Sequence, residues 1–119
     1  MKRRLIRLTT PVALIALLVV LNNSTAASKP SATAVDGSAL FGSKCVICHG
    51  KDGTGLPNWK AKGQPDLTNP DWQKSHTDSQ IAETIKNGRG KFMPAFKEKL
   101  SDDEIVAIVG RVRQLGKRK

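Results

Sequence analysis

Apolar residues near the C-terminal end of the chain recur at Ile105, Ile108, Val109, Val112 and Leu115, a spacing that predicts a helix with one buried stripe. Ser101-x-x-Glu104 supplies a capping box at its start, Asp102 and Asp103 suit the positive helix end, and Gly116 predicts its stop. Burying that stripe contributes about 1.5–3 kcal/mol per large side chain. Upstream, Thr77-x-x-Gln80 predicts a second start, with Ile81, Thr84 and Ile85 on the apolar face and Asn87-Gly88 as the end. Asp36 is a candidate N-cap, and Ala39, Leu40, Phe41, Cys45 and Cys48 at helical spacing predict a helix from Gly37 to Cys48. The polar stretches between these elements behave differently. Gly50 to Pro70 holds Gly50, Gly53, Gly55, Pro57, Gly63, Pro65 and Pro70, which predicts a long loop without regular structure. Gly88 to Leu100, with Met93-Pro94 inside it, predicts another loop. The expected class is all-α: three to four short helices, long loops and no internal repeat.

The N-terminal pattern is of another kind. Lys2, Arg3, Arg4 and Arg7 precede the ten-residue apolar run Val12 to Leu21, and small residues surround Ala26 and Ala27. This reads as a secretory signal peptide over residues 1–27, cleaved near Ala26 or Ala27. The run is shorter than the roughly 20 residues that span a bilayer, so no transmembrane segment is expected after cleavage; an uncleaved anchor is the alternative. Residues 28–35 read as a disordered leader, and residues 36–119 as one domain. The chain carries 20 Lys and Arg against 10 Asp and Glu, a net +10. Removing the four basic residues of the leader peptide leaves 16 against 10, a net +6. An exported basic domain predicts protein partners with acidic docking surfaces and no nucleic acid.

Within the predicted first helix stands Cys45-Val46-Ile47-Cys48-His49, the C-x-x-C-H pattern of c-type haem attachment. On a helix, positions i, i+3 and i+4 share one face. Two thiols then reach the vinyl groups on one porphyrin edge while the imidazole reaches the iron. Other uses of these residues are weaker. A thioredoxin-type C-x-x-C sits beside a βαβ pattern, which is lacking here; structural zinc wants four spaced ligands. A plain disulfide leaves His49 without a role. With no Tyr, three Phe and two Trp, the domain has few large side chains for a core, and a porphyrin would fill that space.

An iron bound by His49 needs a sixth ligand or keeps an open site. After loss of Met1, Met93 is the sole methionine, and Pro94 holds it away from the α region. His76, the other histidine, lies among Lys74, Ser75, Thr77 and Asp78 and reads as an exposed turn residue. Met93 is the stronger candidate, with core gap-filling as its other reading. A His/Met pair raises the reduction potential.

Cys45-x-x-Cys48-His49-Gly50, Pro65-Asp66-Leu67-Thr68, Asn87-Gly88, Met93-Pro94-Ala95-Phe96 and Leu100-Ser101-Asp102-Asp103-Glu104-Ile105 together resemble the small bacterial class I c-type cytochromes over residues 36–115. The resemblance implies a class I cytochrome c fold around one covalently bound haem c per chain, with iron held by His49 and Met93. It implies that the carbonyl of Pro65 accepts a hydrogen bond from the proximal imidazole, and that Gly37 and Phe41 pack against the last helix. Trp59, Trp72 and Arg89 are candidate donors to the haem propionates. Arg111, beside Gly110, stands where the family often has an aromatic residue. The function implied is that of a monomeric periplasmic electron carrier, not an enzyme and without catalytic residues, cycling between Fe(III) and Fe(II). Lys44, Lys51, Lys91 and Lys97 are candidates for a rim that steers redox partner proteins. The alternatives are a haem subunit of a larger dehydrogenase or oxidase complex, and a ligand sensor or peroxidase-like protein with a labile Met93.

Overall fold

Asp36 opens the first helix as expected: its Oδ1 accepts from the amides of Ser38 and Ala39 at 2.9 and 3.1 Å. The computed structural model describes residues 34–118, so the expected signal peptide and most of the expected leader lie outside the described residues. Among the described residues six helices follow in order: α1 Gly37–Lys44, α2 Val46–His49, α3 Pro57–Lys60, α4 Pro70–Ser75, α5 Asp78–Asn87 and α6 Asp102–Gly116. The architecture is all-α, and among the described residues the only β feature is an isolated bridge between Arg89 and Met93.

Both capping boxes form. Thr77 and Gln80 satisfy each other's backbone amides at α5, and Ser101 and Glu104 do so at α6. Three expectations are corrected. The helix drawn from Gly37 to Cys48 is two helices hinged at Cys45, and the second runs on to His49. The loop drawn from Gly50 to Pro70 contains α3, a single turn begun by Pro57, and α4 begins at Pro70 where no helix was expected. In α4, Asn69 Oδ1 accepts from Asp71 and Trp72 at 2.8 and 3.0 Å, with Pro70 at the first helical position. Gly116 ends α6 as its last helical residue, and its bareness admits Gln73: a Cβ there would lie 2.6 Å from the Gln73 side chain.

The core is where α1, α5 and α6 meet. Phe41, Ile81, Ile85 and the whole stripe Ile105, Ile108, Val109, Val112 and Leu115 are buried. Gly37 and Phe41 do pack against α6. A Cβ on Gly37 would stand 2.0 Å from the Ala107 carbonyl oxygen, so the backbones of the two helices touch. Arg111 does not disturb this seam; its guanidinium reaches Gln114 Oε1, one turn along α6. Because the obstacle at Gly37 is backbone, no rotamer change relieves it. Gly37→Leu is expected to cost about 3 kcal/mol, and an unchanged melting temperature would contradict the close approach.

A polar latch ties α4 to α6. Arg113 donates to Asp78 Oδ1 at 2.7 Å, Gln73 O at 2.7 Å and Gln73 Oε1 at 2.8 Å. Gln73 Nε2 in turn donates to the carbonyls of Leu67 and Val112 at 2.6 and 2.9 Å. The segment from Pro65 to His76 is thereby held as a wall beside the helices.

Candidate functional site

Cys45 joins α1 to α2, closing the first and opening the second as the cap residue of both. Its amide donates to Phe41 O at 2.9 Å, and its carbonyl accepts from Cys48 and His49 at 3.2 and 2.9 Å. That one turn sets Cys45, Cys48 and His49 on one face. Gly50, at φ +72, then reverses the chain. The carbonyls of Cys48 and His49, which a helix end leaves free, accept from Leu56 and Gly55 at 3.1 and 2.9 Å. The loop after the motif therefore braces it.

A second part of the lining is the turn around Met93. Arg89 and Met93 exchange backbone hydrogen bonds at 3.0 and 3.3 Å. At φ +76, Gly88 allows the return strand so close that a Cβ would lie 2.5 Å from Met93 O. Phe96 and Lys97 anchor the loop's far end on the carbonyls of Ile85 and Lys86.

These turns line a cleft of about 310 Å³, which shares lining residues with a neighbouring lobe of about 70 Å³. Cys45, His49, Pro65 and Met93 line both parts, and Cys48 lines the larger. Ile85 and Ile108 provide apolar walls to both, and Phe96 and Leu100 to the larger. Three buried polar atoms on the lining residues lack any partner: His49 Nδ1, Gln64 Oε1 and Trp72 Nε1. The hydrogen bond from the His49 imidazole to the Pro65 carbonyl is thus not formed, although Pro65 stands on the same wall. Burial pushes the Cys45 thiol up to about 11, with the neighbouring Cys48 adding to it, so the thiol is protonated at neutral pH. Burial also lowers the His49 pKa, which favours the neutral imidazole, the form that binds metals.

The remaining candidates divide. His76 is half-buried rather than exposed: it stacks on Trp72 at 4.6 Å, and its Nδ1 lies 3.0 Å from the Trp72 carbonyl. The tertiary fold brings the turn down onto the smaller lobe, which the polar neighbours of His76 gave no reason to expect. Trp59 lines the larger part, Trp72 the smaller, and Arg89 both. Of the expected lysines, Lys44 and Lys91 line the cleft, whereas Lys51 and Lys97 do not. Lys62 and Gln64 line it unforeseen; their nearness to Pro65 in sequence was the available signal. Among the described residues no cluster of three or more His, Cys, Asp or Glu side chains is placed to hold a metal ion. An apolar slot lined by two thiols, an imidazole and a thioether, with unpartnered polar atoms inside, fits a haem: a flat apolar ring with polar edge groups.

The sequence model of the family described as cytochrome c oxidase, cbb3-type, subunit III, matches residues 32–110. The chain belongs to that family. Among curated relatives, the cbb3-type cytochrome c oxidase subunit FixP of Bradyrhizobium sp. (strain ORS 278) is 36% identical over 83 residues, 70% of this chain and 28% of the relative. Subunit CcoP of Rhodobacter capsulatus is 35% identical over 92 residues, 71% of this chain and 30% of the relative. The cytochrome therefore spans under a third of the length of these relatives. The solved structure of KustC0563 c-type cytochrome superposes with a TM-score of 0.65 at 34% identity, covering 68% of this chain and 98% of that one. The fold is that of a small class I c-type cytochrome, the cofactor is covalently bound haem c, and the chemistry is electron transfer.

Proposed function

We propose that this cytochrome domain passes single electrons as the haem-bearing subunit of a terminal oxidase complex. Its likeness to FixP and CcoP over most of the domain supports this setting. One observation carries the site: the Cys45–Cys48–His49 turn and Met93 line the same cleft from different loops. In this reading Cys45 and Cys48 would hold the haem by thioether bonds, and His49 and Met93 would bind its iron. Bound there, the haem supplies a one-electron Fe(III)/Fe(II) couple. Pro65 and Gln64 line the same cleft as the imidazole, and their oxygens would be candidate acceptors for its free ring nitrogen on haem binding. With His49 and Met93 both bound to the iron, the domain would relay electrons and perform no catalysis of its own.

Partner encounter is assigned to the cleft mouth. Lys44, Lys62, Arg89 and Lys91 line it and no acidic residue does, while Ile47, between the two cysteines, is 74% exposed. Positive charge around an apolar centre suits an acidic partner surface. Raising ionic strength from low millimolar to about 1 M is expected to slow electron exchange with an acidic partner at least tenfold. Lys44→Gln with Lys91→Gln should flatten that dependence; a rate indifferent to salt would remove the steering role.

A monomeric periplasmic shuttle is the second reading, favoured by the match to nearly the whole of KustC0563, itself a small c-type cytochrome. Membranes solubilised in mild detergent separate the two. An oxidase subunit copurifies with oxygen-reducing activity, and a shuttle leaves with the periplasmic fraction.

A further inference from the structure

The two loops that flank the cleft mouth are joined by no backbone hydrogen bond among the described residues. One is α3 with the turn after it, held to itself by Lys62 N and Gln64 N donating to Trp59 O at 3.0 and 3.2 Å. The other is the Met93 turn, pinned at its base by the Arg89–Met93 pair. Its tip faces open space: a Cβ on Gly90 would meet nothing within 4 Å. What crosses the gap is a group of three side chains. Trp59 and Phe92 meet edge to face with ring centroids 6.2 Å apart. Lys62 Nζ stands 4.3 Å from the Trp59 ring centroid and 5.0 Å from that of Phe92.

We propose that Trp59, Lys62 and Phe92 form a clamp across the cleft mouth whose role is to position Met93. The clamp grips the residue immediately before Met93, and the Arg89 pairing grips Met93 itself. To swing the thioether out of the cleft, the tip of the turn must move, and Phe92 must leave both Trp59 and Lys62. Phe92 is 52% exposed, so it has little other burial to hold it. An edge-on aromatic pair and an exposed cation over a ring together correspond to about a tenfold bias toward the closed turn. The clamp thus sets how rarely the thioether lets go, and with it how closed the iron stays to small ligands. This rests on the reading of Met93 as the iron ligand.

The test uses the haem-loaded protein, with carbon monoxide as the probe. In the reduced state carbon monoxide binds only after the thioether has left, so its binding rate at saturating gas reports the opening. Met93→Ala is expected to bind carbon monoxide rapidly, with no prior opening step. Phe92→Ala and Lys62→Met should each raise the wild-type rate several-fold, up to about tenfold, while Lys62→Arg, which keeps a cation over the rings, should stay near wild type. If Met93→Ala binds no faster than wild type, the ligand assignment fails and the clamp with it. If Met93→Ala is fast but Phe92→Ala and Lys62→Met bind at the wild-type rate, the ligand stands and the clamp is overturned. Should Phe92→Ala fail to fold, Lys62→Met decides, because it keeps most of the side-chain stem. A Lys62→Met protein that melts earlier yet binds carbon monoxide at the wild-type rate overturns the clamp as well.

Discussion

Met93→Ala is expected to lower the midpoint potential by on the order of 100 mV and to convert the reduced protein into a rapid binder of carbon monoxide. The reason lies in what the side chain does on the cleft wall. Its thioether is a soft, uncharged donor that favours the ferrous state, so its loss tilts the balance toward ferric iron. At 59 mV per decade for one electron, 100 mV is a change of about fiftyfold in that balance. The backbone around it should survive, because Arg89–Met93, Phe96–Ile85 and Lys97–Lys86 are main-chain hydrogen bonds. The effect should therefore appear in potential and absorption spectrum, with a small change in melting. Met93→His is the informative companion: it is expected to restore two strong axial ligands while leaving the potential low. Spectra and potential unchanged in Met93→Ala would show that the sulfur is a packing group and that another residue binds the iron.

Cys45→Ala combined with Cys48→Ala has the second large effect, on retention of the cofactor and on the fold together. Either thiol alone still offers one thioether bond, so single variants should keep their colour through acidified organic solvent. The double variant should release its pigment into that solvent. Its fold should suffer too, because the slot sits at the centre of the helices. Scaled at about 24 cal/mol per Å³, an empty cavity of about 310 Å³ corresponds to at most about 7 kcal/mol, since this one opens to solvent. Domains of this size are stable by only about 5–15 kcal/mol. The double variant purified without haem should accordingly lack a sharp thermal transition; a cooperative melt near that of the parent would show that the protein core suffices by itself.

Helix starts were legible wherever the signal was local. The capping boxes at Thr77 and Ser101 and the cap at Asp36 depend on residues three apart or closer, and all three form. The apolar stripe of α6 was legible because fifteen residues show the 3.6-residue period several times over. α3 and α4, at four and six residues, are too short to show a period at all. Their only marks were Leu56-Pro57 and Asn69-Pro70, prolines that read as breakers among many glycines but act as first helical residues. The hinge at Cys45 was hidden for a different reason, since helical spacing is the same on both sides of it.

The chain's covalent order by itself determined the chemical inventory. Cys45, Cys48 and His49 lie within one turn, so helix geometry alone converts their spacing into a shared face. Only the tertiary structure decided what stands opposite and around them. Met93, 44 positions beyond His49, reaches the cleft because Gly88 admits the returning backbone. His76 is drawn inward by Trp72, and Lys62 meets Phe92 across a gap of 30 positions. Gly37 is needed because Ala107 O is there to be met. Contacts over such separations depend on how helix faces pack, and packing follows from the whole set of buried side chains rather than from any short stretch of them.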